Sequence, residues 1–156
     1  MNNIKNNILI FGFSVLITGC SQSATSVFDK DPLYGQNLQY SKVIKSVEKE
    51  NVNAIINITY LNSVNPLKWD NNQQNFLIAT YVFENNEKDF HLTMNEQKQI
   101  SSKLIQKDDP LYKNIAFENK WAKYKLITFD NVENDKLTIQ YTHPQFKTIS
   151  TQFIKE

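Results

Sequence analysis

Short segments in which apolar and polar residues alternate recur along the chain, and this alternation constrains the fold more than any other feature. In residues 52–61, apolar side chains occupy every second position, while Asn53, Asn57 and Thr59 fall between them. A period of two places successive side chains on opposite faces of a β-strand, so this segment predicts a strand with one buried face. Similar alternation is present in residues 121–129, 137–141 and 149–153. The chain is therefore predicted to be all-β.

Three further features complete the predicted set of regular strands. Residues 76–83 are apolar on both faces, which is typical of a central strand covered on both sides. Residues 40–47 predict another strand, and the last two strands of the chain predict a hairpin closed around Pro144.

The segment between these strands is less regular. Residues 90–105 predict a hairpin that turns at Asn95 and Glu96, although the second half of the segment would also fit one turn of a helix. We favour the hairpin. Asp109 before Pro110 is a typical N-cap and first-turn pair, so it predicts the start of a single helical turn.

The turns between the strands must be built with very few glycines. Beyond residue 19 the chain contains one glycine, Gly35. Turns that need a positive φ must therefore use another residue, and asparagine tolerates this conformation best. The gaps between the predicted strands contain Asn71, Asn72, Asn85, Asn86, Asn131 and Asn134. About seven or eight strands joined by polar turns, without a long helix, predict an antiparallel β-sandwich.

The first twenty residues predict a targeting segment. Residues 1–7 carry one positive side chain, Lys5, and residues 8–17 form an apolar run of ten residues. This order is typical of a secretory signal peptide, and the run is shorter than the roughly 20 residues that a membrane span needs. Ile17-Thr18-Gly19-Cys20 resembles the lipobox of bacterial lipoproteins. The resemblance implies cleavage before Cys20 and attachment of lipid to its sulfur.

The predicted domain boundaries follow from this cleavage site. Residues 1–19 form the signal peptide, residues 20–36 the lipidated cysteine with a flexible tether, and residues 37–156 the β-sandwich domain. Acyl chains at Cys20 would anchor the protein to a lipid bilayer, because each buried CH₂ contributes about 0.8 kcal/mol. Ser21 follows the cysteine, and by analogy with the lipoproteins of Gram-negative bacteria it implies the outer membrane, with either face possible. The alternative is an ordinary secreted protein in which Cys20, the only cysteine, is incidental.

Composition excludes several classes of function. The 17 basic residues are all lysines, and 16 acidic residues leave a formal net charge of +1. A nucleic-acid-binding protein normally has a strongly basic surface, so nucleic acid is not expected as a partner. The single glycine beyond residue 19 rules out phosphate-binding loops and the nucleophile elbow in the predicted mature chain. Only His91 and His143 are available for a zinc site, and they have no cysteine partners because Cys20 is expected to carry lipid. No carboxylate spacing predicts a calcium loop. No cofactor, metal or catalytic residue is therefore predicted.

Residues 119–126 (Asn-Lys-Trp-Ala-Lys-Tyr-Lys-Leu), the Leu-Thr-Ile strand at 137–139 and the closing strand at 147–154 together resemble the small lipoproteins of Campylobacter and its relatives. The Tyr-Leu-Asn at 60–62 adds to the likeness. The resemblance implies an immunoglobulin-like fold over the whole mature chain. It supplies no catalytic residues, and the absence of a cysteine pair makes the likeness to immunoglobulin domains topological.

Four side chains are candidates for a binding surface. Lys120, Lys123 and Lys125 could form a basic stripe that meets acidic lipid headgroups or glycans. Their alternation with Ala122, Tyr124 and Leu126 favours instead a solvated strand face that deters edge-to-edge aggregation. Trp69 could be an exposed aromatic anchor, because interfaces favour tryptophan, although core packing is the more common role.

These observations predict a membrane-anchored lipoprotein that acts as a non-enzymatic binding or interaction module of the bacterial cell envelope. Its partner would be another envelope protein or a host ligand. One alternative is a structural or assembly accessory of a periplasmic complex. A remote alternative is a hydrolase that uses paired carboxylates.

Overall fold

A computed structural model describes residues 32–83, 90–115 and 118–155. The predicted signal peptide, Cys20 and the turn at Asn85 and Asn86 lie outside the described residues. The described helices are α1 (Pro32–Gln39), α2 (Leu61–Val64), α3 (Pro66–Trp69) and a 3₁₀ helix (Pro110–Asn114). The described strands are β1 (Ser41–Glu48), β2 (Asn51–Tyr60), β3 (Gln73–Val82), β4 (His91–Met94), β5 (Gln97–Lys98), β6 (Ser101–Ile105), β7 (Lys123–Asp130), β8 (Lys136–His143) and β9 (Phe146–Ile154). No helix among these residues is long and apolar enough to span a lipid bilayer.

The strands form two antiparallel sheets, which confirms the predicted all-β sandwich. Sheet A has five strands in the order β1-β2-β3-β7-β6, and sheet B has four in the order β5-β4-β8-β9. The predicted central strand, β3, lies in the middle of sheet A and pairs with β2 and β7. The predicted C-terminal hairpin is β8–β9, in which His143 pairs with Phe146 across Pro144 and Gln145.

The main hydrophobic core lies between the two sheets. Phe76 occupies its centre and is fully buried. Its ring stacks on Tyr60 at 5.0 Å between centroids and contacts Phe129 and Phe153 at 5.9 and 5.6 Å. Aromatic pairs at these separations add to the free energy that their buried area already contributes. The alternation predicted for β2 and β8 is confirmed, because their inward residues are the buried ones: Ala54, Ile56, Ile58, Tyr60, Leu137, Ile139 and Tyr141.

A second, smaller core covers the outer face of sheet A. Leu77 and Tyr124 project from the middle of that face and pack against Leu61 of α2, Leu111 of the 3₁₀ helix and Ile105 of β6. The 3₁₀ helix begins as predicted, because the Asp109 carboxylate accepts a hydrogen bond from the Leu111 N–H at 2.9 Å. The helices α2 and α3 were not predicted from the sequence. They explain why β3 is apolar on both faces.

The two sides of the sandwich differ. On one side, edge strands β1 and β9 lie side by side: the Lys42 ammonium donates to the Gln152 carbonyl, and the Lys147 N–H donates to the Glu48 carboxylate at 3.3 Å. On the other side, β5 is only two residues long and the chain leaves it to enter sheet A as β6. The sandwich is therefore closed along β1 and β9 and open along β5 and β6.

Residues 90–105 depart from the predicted hairpin. The turn at Asn95 and Glu96 is present, because Met94 pairs with Gln97 across it. However, the returning strand β5 ends at Lys98, and β6 pairs with β7 in the opposite sheet. The segment is thus a short hairpin followed by a crossover between sheets.

The folded unit begins earlier than the predicted domain boundary. Helix α1 starts at Pro32, inside the segment predicted as a tether, and it contains Gly35. The remainder of that segment, residues 20–31, lies outside the described residues.

Candidate functional site

A cleft of about 650 Å³ opens between the two sheets on the β5–β6 side. Its volume falls within the roughly 300–1,000 Å³ that is usual for small-molecule binding sites. Strands β4, β6 and β7 contribute its walls. The residues that define it are Phe90, Leu92, Ser102, Lys123, Lys125 and Ile127.

The strand register of β7 directs two lysines into this cleft. Ile127 and Phe129 belong to the main core, and Lys125 and Lys123 precede Ile127 by two and four positions. Because side chains at even spacing share a face of a strand, both lysines project between the sheets. Lys125 is half-buried there, whereas Lys123 is exposed at the start of the strand.

This placement corrects the predicted role of the basic stripe. Tyr124 and Leu126 were expected to face the interior with the lysines on a solvated face. Tyr124 is indeed buried, but in the second core on the outer face of sheet A. The lysines share the inner face with Ile127, and they reach solvent only because the sandwich is open on that side.

Lys125 is held against an aromatic stack. Its Nζ atom lies 4.6 Å from the centroid of the Phe90 ring. The opposite partner of Phe90 is the buried Tyr141 ring, at 5.2 Å and 23° between planes. An ammonium over an aromatic face is attracted by the ring quadrupole. The contact with Phe90 therefore orients the Lys125 side chain before any ligand arrives.

The rim of the cleft comes from strand edges. His91 and Thr93 alternate with Leu92 and Met94, which point into the main core, so their own side chains lie on the outer face of sheet B. The Thr93 hydroxyl contacts the Gln140 amide on that face at 3.5 Å. His91 and Thr93 thus border the cleft through the edge of β4. Lys98 pairs with Thr93, so its side chain shares that outer face, and Lys98 and Gln99 border the cleft where the chain crosses between sheets.

The described lining contains lysines and no carboxylate. Lys123 and Lys125 project between the sheets from β7, and none of the described lining residues is acidic. Apolar surface from Phe90 and Ile127 lies beside these charges. The opposite wall adds Ser102, which faces Ile127 in the β6–β7 register. Such a site can attract an anionic group and bury an apolar one at the same time.

The other two sequence candidates lie apart from the cleft lining. Lys120 precedes β7, and its Nζ atom lies 4.6 Å from the ring centroid of Trp121, which is 68% exposed. Trp69 is half-buried at the end of α3 and packs against the second core. Its carbonyl accepts hydrogen bonds from the amides of Asn62 and Asn75.

The histidines do not lie together with other metal-binding groups. His143 is buried in the β8–β9 turn, where its Nδ1 accepts from the Gln145 N–H at 3.2 Å and its ring stacks on Phe146 at 4.3 Å. His91 is exposed at the rim of the cleft. Within residues 32–83, 90–115 and 118–155, no three His, Cys, Asp or Glu side chains are grouped so that they could hold a metal ion.

Sequence reasoning missed Phe90 and Ser102 as site residues, and it misjudged the face of Lys125. The pattern that could have found Lys125 is its even spacing from Ile127 and Phe129, which are more hydrophobic than Ala122 and Tyr124. Phe90 and Ser102 are brought to the cleft by the crossover between sheets, which no local pattern indicates.

No protein-family model matches the chain, and a search of curated proteins finds no relative. The fold and the cleft define the molecule as a small antiparallel β-sandwich with a cleft along its open side.

Proposed function

We propose that the protein is a lipid-anchored, non-enzymatic binding module of the bacterial cell envelope and that the open cleft is its binding site. The anchor would be the acylated Cys20, and Ser21 favours the outer membrane. The resemblance to the Campylobacter lipoproteins, with its immunoglobulin-like fold, supports the same setting.

One observation carries the binding role. The sandwich is closed along β1 and β9 and open along β5 and β6, and the open side holds a 650 Å³ cleft lined from both sheets. A sandwich whose only task was to fold would gain by covering apolar surface such as Leu104, which is 51% exposed and lies opposite Lys125 in the β6–β7 register. Exposed apolar surface beside a half-buried charge such as that of Lys125 is typical of a ligand site.

The anchor is tested by metabolic labelling of cells with an alkyne analogue of palmitate. We expect the label to enter the wild-type chain and to be absent from the Cys20→Ala variant. A wild-type chain without label, or a Cys20→Ala chain that still carries it, would refute the anchor.

The binding role is tested by crosslinking from the cleft. If Cys20 is acylated, Ser102→Cys introduces the only free thiol of the mature chain, and this thiol faces the cleft. Modification with a maleimide–benzophenone and irradiation of intact cells should give a reproducible adduct. Ser150→Cys is the matched control, because Ser150 is an exposed serine that pairs with Gln140 on the outer face of sheet B. Identical adducts from both positions, or no adduct from Ser102→Cys, would argue against a binding cleft.

A further inference from the structure

We propose that the cleft binds a small amphipathic anion, in which a carboxylate or phosphate group is attached to an apolar body. This inference rests on the proposed role as a binding module and names the chemical class of its ligand. The juxtaposition that carries it is that of the Lys125 ammonium and the apolar surface of Phe90, Leu92 and Ile127 within one cleft.

The half-buried charge of Lys125 favours an anion. Its ammonium lies between the sheets, and the described lining residues contribute no carboxylate. Low-dielectric walls on both sides strengthen the attraction between this ammonium and an anionic group relative to bulk water. A cationic ligand would instead be repelled by Lys125.

The position of Lys125 makes the anion site partly preorganised. Its ammonium is oriented by the Phe90 ring, which is itself fixed by stacking on the fully buried Tyr141. A lysine held in place in this way loses less side-chain entropy when it binds than a freely rotating surface lysine. Carboxylate and phosphate oxygens are its natural acceptors, because both form charge-assisted hydrogen bonds with an ammonium.

The rest of the cleft selects an apolar body of limited size. Leu92 and Ile127 form its floor, where the cleft meets the main core, and the exposed Leu104 lies on the same face of β6 as Ser102. A volume of about 650 Å³ accommodates a bicyclic aromatic ring or a medium-length alkyl chain. The occupant is therefore a small molecule rather than a folded partner.

The test titrates 2-naphthyl phosphate and 2-naphthoate, with neutral 2-naphthol as the matched probe, into the acylated chain in phosphatidylcholine nanodiscs. Isoleucine and leucine methyl NMR reports the site, and empty discs correct for partition into lipid. We expect saturable shifts at Leu92, Leu104 and Ile127 with at least one of the two anions and much weaker shifts with naphthol. The comparison of the two anions shows whether phosphate or carboxylate is preferred.

The variants separate a specific charge from general attraction. Lys125→Gln keeps most of the side-chain length and removes the charge, so it should weaken anion binding by about tenfold or more. Lys45→Gln is the matched control, because Lys45 is exposed on β1 at the far edge of sheet A. It should leave binding unchanged. Equal affinity for naphthol, unchanged affinity of Lys125→Gln, or an absence of saturable shifts at these methyl groups with either anion would overturn the proposal.

The result is separable from that of the proposed function. If the anions do not bind, only the proposed ligand class is refuted. The Ser102→Cys crosslink still tests the binding cleft, and the palmitate label still tests the anchor. If the chain carries no acyl group, the same titration is made on the secreted chain without nanodiscs, so the cleft is still tested when the anchor is refuted.

Discussion

Buried polar side chains in this sandwich differ in whether their hydrogen-bonding groups are paired. Asn75 is 3% exposed, and its amide donates to the Trp69 carbonyl and the Asn71 side chain while its oxygen accepts from the Thr128 hydroxyl at 3.1 Å. Ser46 is equally buried, yet its hydroxyl has no hydrogen-bond partner among the described residues. A buried polar group costs free energy when it is unpaired and little when it is paired.

Ser46→Ala is therefore expected to leave stability unchanged or to raise the free energy of unfolding by up to about 1 kcal/mol. Thr128→Val is the matched control, because it removes a paired hydroxyl and leaves the Asn75 oxygen without that donor. It should lower the free energy of unfolding by about 1–3 kcal/mol. Urea unfolding followed by circular dichroism measures both, and a Ser46→Ala variant less stable than the wild type by 1 kcal/mol or more would show that the hydroxyl is paired.

The phenol of Tyr60 makes stability depend on alkaline pH. Burial, with a smaller contribution from the negative charge of Asp70, raises the pKa of Tyr60 from 10.0 to about 12. Its hydroxyl donates to the Gln74 amide oxygen at 2.5 Å. Between these two values the folded protein keeps a proton that the unfolded chain has released, so this contribution to stability is complete below pH 10 and is lost as pH rises through 12.

We expect the free energy of unfolding to fall by about 2 kcal/mol from this group between pH 9.5 and 12. Lysines also titrate in this interval, so the measurement is the difference between the wild type and Tyr60→Phe in urea unfolding at each pH. The variant should be about 1 kcal/mol less stable at pH 7, because it loses the bond to Gln74, and the gap should close or reverse at high pH. A gap that stays constant would contradict the shifted pKa.

At the scale of elements, the scarcity of glycine places ordinary residues in left-handed turns. Lys49 and Glu50 form a two-residue hairpin loop between β1 and β2 with φ values of 48° and 72°. Asn95 and Glu96 do the same between β4 and β5, with φ values of 47° and 69°. Positive φ at both central positions is the geometry of a type I′ turn, which is strongly favoured by Asn-Gly. The sandwich therefore carries backbone strain in its tightest turns.

Glu50→Gly is expected to raise the free energy of unfolding by up to about 1 kcal/mol, because glycine adopts this conformation without steric cost. Glu50→Ala removes the same side chain but keeps the strain, so it should be no more stable than the wild type. Thermal unfolding of both variants measures the effect. Equal stabilisation by glycine and alanine would mean that the gain comes from the lost charge and not from the backbone.

The elements that sequence predicts well are those with a local cause. Period-two alternation identified β2, β8 and β9, and the Asp109–Pro110 pair marked the 3₁₀ helix. The use of asparagine at positive φ is confirmed at Asn72, but the same strain at Lys49 was not predicted, since lysine has no preference for it. Asn71, Asn131 and Asn134 are not among the described residues with positive φ.

The elements that sequence missed depend on distant contacts. Helix α2 is fixed by burial of Leu61 in the second core, and nothing in its four residues distinguishes it from the end of β2. Residues 97–105 pair with β4 of sheet B in their first part and with β7 of sheet A in their second part. The point at which the chain changes sheets depends on these distant strands and not on the local sequence. The cleft follows from that crossover, so the candidate site could be predicted only in part, through its lysines.

At the scale of the whole molecule, one side of the sandwich contributes contacts that stabilise the fold, and the other side holds the cleft. The side formed by β1 and β9 is joined by contacts such as the Lys42 ammonium over the Phe153 ring at 5.3 Å. The side formed by β5 and β6 leaves Ile100 and Leu104 about half exposed. Apolar surface left in water forgoes roughly 25 cal/mol for each Å². The open side therefore lowers stability in the same place where it creates the cleft.

A substitution of Lys125 can measure how much stability the fold loses where the cleft is formed. An ammonium that is half-buried between the sheets loses part of its hydration, and we expect its contact with Phe90 to offset only part of that cost. Lys125→Met keeps the length of the side chain and the contact with the ring, through sulfur, while removing the charge. We expect it to raise the free energy of unfolding by up to about 1 kcal/mol in urea. Lys45→Met, on the exposed face of β1, should change it by less than about 0.5 kcal/mol.

The same Lys125→Met variant should lose affinity for naphthyl phosphate or naphthoate, whichever the wild type binds. A higher free energy of unfolding together with a loss of binding would show that the charge of Lys125 serves ligand binding and lowers the stability of the fold. A variant destabilised by more than about 1 kcal/mol would instead make Lys125 a structural residue whose contact with Phe90 closes the core. The first result would make Lys125 a binding residue of the open side, and the second would make it a residue that stabilises the sandwich.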